Sequence, residues 1–108
     1  MLKKLLLAVI LLFSHTIHAE DSNEAGFTEI CKIYTAALNT NMNIEQLSDY
    51  IFSNVTQRVK SKDALEAHQA VMQLDSSKRY EIFKQSAELS LNHIWDCEAM
   101  KKVMARKE

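Results

Sequence analysis

The sequence predicts an all-α fold, a small bundle of about five short helices closed by one disulfide between Cys31 and Cys97. Three observations carry this. The 108 residues include one Gly and no Pro, so the turn residues on which sheets and hairpins depend are scarce. Apolar residues recur at spacings of three and four along most of the chain beyond residue 26, the period of a helix with one buried face. The chain carries two cysteines, and its beginning reads as an export signal. With 47% apolar and 25% charged residues the composition is that of a globular domain, which excludes a disordered chain and a disulfide-dense scaffold.

Residues 1–19 have the layout of a secretory signal peptide. Lys3 and Lys4 precede the unbroken apolar run Leu5–Phe13, and the polar stretch Ser14–Ala19 follows before Glu20. The run is shorter than the about 20 residues a membrane-spanning helix needs. The expectation is cleavage after Ala19, export to the periplasm or the extracellular space, and no membrane association afterwards. Residues 20–108 then form a single helical domain, mildly acidic, of a size that gains from a covalent staple.

In that domain, residues 20–25 read as a polar lead-in, with structure starting near Gly26. Phe27, Ile30, Cys31, Tyr34, Ala37 and Leu38 mark the buried face of a first helix ending around residues 39–41. Asn43 followed by Gln46 is a capping box for a second helix, whose apolar arc is Ile44, Leu47, Ile51, Phe52, Val55 and Val59. Asp63 with Glu66 offers a second capping box, for a third helix burying Leu65, Val71 and Met72. A fourth helix begins at Asp75, Ser76 or Ser77 and runs to about Leu91 with the stripe Tyr80, Phe83, Ala87 and Leu91. Ile82 and Leu89 form a second, weaker ridge on it. Asn92 suits the left-handed residue that ends a helix, and Asp96 reads as the cap of a last helix carrying Cys97, Met100 and Met104 on one face.

In an oxidising compartment the two cysteines pair, which ties the first helix to the last and removes denatured-state entropy worth about 4 kcal/mol. A reactive thiol has less support, because there is no C-x-x-C and no positioned base is visible. His68, bordering the apolar face of the third helix, reads as a structural imidazole, and His93 as a group interacting with helix-terminal carbonyls. Met100, Met104 and His93 are a soft donor set that could hold Cu(I), although methionines at helical spacing ordinarily fill cores. No local metal-ligand spacing, no G-x-S-x-G elbow and no Gly-rich phosphate loop occurs, and no carboxylate falls on an apolar stripe. The expectation is no catalytic residue, no metal and no cofactor. The net charge of -1 and the absence of aromatics interleaved among Lys101, Lys102, Arg106 and Lys107 speak against a nucleic-acid partner. Asn54, Val55 and Thr56 form a glycosylation sequon in mid-helix.

The reading is therefore a non-catalytic module that binds another protein, an inhibitor, immunity-type or accessory subunit, through Phe52, Ile82, Leu89 or Trp95. Trp95, beside Asp96 and Cys97, is either an interface anchor or, by its position at a helix junction, a core anchor. In plan, and in the stretch Trp95, Asp96, Cys97, Glu98, the chain also resembles the small acid-stress chaperones of the enteric periplasm, which are helical and hold one disulfide. That likeness spans four residues, with a different cysteine spacing, and implies the alternative of a periplasmic stress chaperone binding unfolded clients. A copper carrier is the third reading.

Overall fold

The computed structural model describes residues 22–106. The expected signal peptide, 1–19, lies outside the described residues. Those described form an all-α bundle of five helices: α1 (22–38), α2 (Ile44–Arg58), α3 (Lys62–Val71), α4 (Ser76–Leu91) and α5 (Glu98–Met104). None of these helices is long and apolar enough to cross a membrane.

Helix α1 is extensively buried. Phe27, Ile30, Ile33, Tyr34 and Ala37 are buried along it, whereas Cys31 and Leu38 are half-buried. Ile33 widens the expected stripe, because neighbours cover α1 on more than one side. Helix α1 also starts earlier than the composition of 20–25 suggests. Asn23 lies in its first described turn, where its amide donates to Asp63 Oδ2 at 3.0 Å and its carbonyl accepts from the Ser61 hydroxyl at 2.7 Å. Partners about forty residues away hold a segment whose own polarity predicts fraying. This junction is close-packed: a Cβ on Gly26 would lie 2.4 Å from the Cβ of Ser61, so only glycine lets α1 approach the start of α3 this closely.

The capping box of α2 forms as the sequence predicts, with Gln46 N donating to Asn43 Oδ1 at 2.9 Å and Asn43 N to Gln46 Oε1 at 3.2 Å. Leu47, Ile51, Val55 and Val59 are buried below it. Helix α3 is capped by Ser61, whose hydroxyl accepts from Ala64 N at 3.1 Å, and not by Asp63, which sits inside the first turn. Helix α4 ends at Asn92, the one non-glycine described residue with positive φ (59°), as its side chain permits. Asp96 does not cap α5. Cys97 holds that place, and the Asp96 carboxylate instead accepts the Tyr80 hydroxyl.

Helix α4 packs on α3 and on α5. Phe27, Phe83 and Trp95 meet edge to face at centroid separations of 5.4 to 6.2 Å, each pair adding about 1 kcal/mol beyond its area burial. Trp95 is 7% exposed, so of its two readings the structure takes the core anchor, and it contributes nothing to an external contact surface. The Cys31–Cys97 disulfide links α1 to the cap of α5 across a sequence separation of 66, with Cα atoms 5.8 Å apart. The 94–97 connection before α5 is pinned further by Lys84, which donates to Trp95 O at 2.6 Å and to Glu88 Oε2 at 2.8 Å, and by Trp95 N, which donates to Glu88 at 3.1 Å.

Candidate functional site

Two surface features stand out, a cleft and a ridge. The cleft, of about 310 Å³, opens between α2, the turn from α3 to α4, and α5. Its walls are aliphatic: Ile44, Leu47 and Ile51 from α2, Leu74 from the turn, Val103 and Met104 from α5. Phe52, 66% exposed, and Met72 form its lip. The arc of α2 predicted from periodicity thus divides, with one edge in the core and Phe52 turned to water.

The cleft floor is polar. The Tyr34 hydroxyl and His68 Nε2 are 2.7 Å apart, both side chains being buried. Burial disfavours both charged forms, lowering His68 from 6.5 to about 4 and pushing the Tyr34 phenol well above its ordinary value, with nearby Arg79 opposing the latter shift. Both groups are therefore neutral at pH 7, and both shifts lead away from the range in which proton transfer is efficient. Phe83 meets the His68 ring edge-on at 6.1 Å, so the imidazole is wedged in the core as its position beside an apolar stripe predicts.

Three charged groups line the mouth: Arg79, Arg106 and Asp75. Arg79 is held across the α3–α4 turn, its Nε donating to Leu74 O at 2.8 Å and a terminal nitrogen to Met72 O at 3.3 Å. Its remaining N–H groups make no hydrogen bond among the described residues. Nothing local in the sequence separates Arg79 from any other arginine in the first turn of a helix, so its place at the cleft is not legible there.

The ridge lies on α4. Ile82 is 40% exposed and Leu89 85%, and Ile94 just beyond the helix is 84% exposed. Ile82 and Leu89 lie on one side, about 10 Å apart along the axis. Between them Ser86 turns its hydroxyl inward to Ile82 O at 3.0 Å, so the strip is less polar than its composition implies.

The other sequence candidates have ordinary places. Met100 is fully buried in the core and Met104, 5% exposed, lies against the cleft, while His93 stands at the surface 2.7 Å from Glu24. The Glu24 hydrogen bond raises the His93 pKa and ties α1 to the turn after α4. No group of three or more His, Cys, Asp or Glu converges on a possible metal position among the described residues. Asn54 Nδ2 donates to Tyr50 O at 2.8 Å inside α2. No family, curated protein or solved structure matches this chain.

Proposed function

We propose that this protein is exported, is non-catalytic, and acts by binding another protein through the α4 ridge of Ile82, Leu89 and Ile94, as an inhibitor, immunity-type or accessory subunit. The observation that carries this reading is the near-complete exposure of Leu89 and Ile94 on a corner of the fold that is otherwise held rigid. Single exposed aliphatics are common and mean little, whereas Ile82 and Leu89 share one side of α4 about two helical turns apart and Ile94 follows just past the helix end, also exposed. The Lys84, Glu88 and Trp95 bonds and the disulfide hold the end of this strip in place, so little ordering entropy is lost on docking.

The test is capture from the compartment to which the protein is exported, followed by affinity measurement on the partner found. Leu89→Asp is expected to weaken a stoichiometric complex about 10- to 100-fold, the equivalent of losing one buried leucine contact, and Phe52→Asp to leave it unchanged. Binding indifferent to Leu89→Asp, or no stoichiometric partner, overturns the proposal.

The buried, neutral His68 supports a second reading, client binding under acid stress. Protonation of this imidazole in the core loosens the packing of α3 on α4 and exposes apolar surface. Light scattering of an aggregating client at low pH separates the two, since a folded interaction module does not suppress aggregation there.

A further inference from the structure

We propose that the cleft between α2 and α5 is a binding site for a small amphiphilic carboxylate, a medium-chain fatty acid by chemical class. Three properties of the cleft lead to this occupant. Its volume of about 310 Å³ falls at the lower end of the about 300–1,000 Å³ typical of small-molecule sites, enough for one short alkyl chain and too little for a sterol or a helix. Its walls offer aliphatic and thioether surface from Ile44, Leu47, Ile51, Val103 and Met104, which suits a flexible chain better than a stacked ring. Of the charged residues that line the cleft two are arginines, Arg79 and Arg106, and one is a carboxylate, Asp75, so the lining favours an anion over an alkylammonium of the same length, while Glu45 and Asp49 line an adjoining hollow on α2.

Arg79 is the group placed to meet the carboxylate. Its bonds to Leu74 O and Met72 O fix the guanidinium plane without using all of its donors, so the remaining N–H groups are presented with little further loss of side-chain entropy. Arg106, exposed just after α5, adds a second cation that needs no such anchoring. The Tyr34–His68 pair also lines the cleft, and its mutual hydrogen bond leaves no unsatisfied polar atom there for the ligand to bury. The α4 ridge takes no part, so this site stands or falls independently of the protein partner proposed above.

The experiment is an NMR titration of the oxidised protein at pH 7 with sodium decanoate below its micelle concentration, beside decylammonium chloride. Saturable one-to-one binding is expected, with shifts concentrated at Leu47, Ile51 and Val103 and decylammonium about tenfold weaker, the factor for one lost charge-assisted hydrogen bond. Ser48→Trp, at an exposed position of α2 lining the cleft, fills it from outside and abolishes binding, whereas Leu89→Asp leaves it intact. Arg106→Gln weakens decanoate but not decylammonium, and does so without the loss of backbone contacts that Arg79→Gln entails. Equal affinity for the two amphiphiles, binding that survives Ser48→Trp, or no saturable binding of decanoate overturns the proposal.

Discussion

His68 makes the stability of this protein depend on pH in a way that one substitution isolates. In the folded chain its imidazole is 4% exposed and its pKa is lowered from 6.5 to about 4 by burial. Between these values the unfolded chain holds a proton that the folded chain refuses. The stabilising contribution is therefore complete above pH 6.5 and disappears as the pH falls toward 4. The shift corresponds to about 3 kcal/mol, most of it lost by about pH 4.5. That is a large share of the about 5–15 kcal/mol that holds a domain folded. His93 acts in the opposite sense: raised by Glu24, it adds stability below its unfolded pKa and loses it as the pH rises through the folded value. Glu88 and Asp96, lowered by Lys84 and by the Tyr80 hydroxyl respectively, add stability that fades as acid titrates them. Comparing the wild type with His68→Gln, whose amide can still bond to Tyr34, cancels all three. In urea denaturation at pH 7 and about pH 4.5, the wild type is expected to lose about 2–3 kcal/mol more than His68→Gln on acidification. Equal losses in the two proteins would refute the assignment of the acid sensitivity to this buried ring.

The remaining predictions concern the staple and the closest approach in the fold. Replacing both cysteines by serine is expected to cost about 4 kcal/mol, from the loop-closure entropy of a separation of 66, read as a lower urea midpoint; a change below about 1 kcal/mol contradicts that account. Gly26→Ala gains helix propensity but drives a methyl group to within 2.4 Å of Ser61 Cβ, so a net loss of about 1–2 kcal/mol is expected. An unchanged or raised melting temperature would show that α1 and α3 can part at no cost. Leu89→Asp, by contrast, is expected to leave stability within about 0.5 kcal/mol, as its side chain lies almost wholly in water.

Which features were legible beforehand follows from the range of the interactions that set them. Asn43 and Gln46 cap each other across three residues, and Asn92 adopts the left-handed conformation through its own side chain, so both follow from a short window of sequence. The helical stripes follow from the 3.6-residue period, and the disulfide from two cysteines having no other choice of mate. The cleft was not legible in the same way. Tyr34 and His68 meet across 34 positions, and Arg79 reaches their side only through the geometry of the α3–α4 turn. The arc of α2 likewise does not show which of its edges stays wet, and Phe52 is left exposed because neighbours cover the opposite edge.

By itself, then, the sequence determined the class of the fold, the number of helices, most of their ends and the covalent closure of α1 onto α5. Each of these rests on contacts within a turn of helix or on the pairing of a unique residue type. Only the tertiary structure decided that Asn23 is ordered by Ser61 and Asp63, that Asp96 serves Tyr80 rather than a helix end, and that Trp95 lies in the core while Leu89 and Ile94 do not. The physical reason is common to all three. A polar or apolar side chain goes to the strongest partner within reach, and here the strongest partners were brought within reach by the packing of helices far apart in the chain.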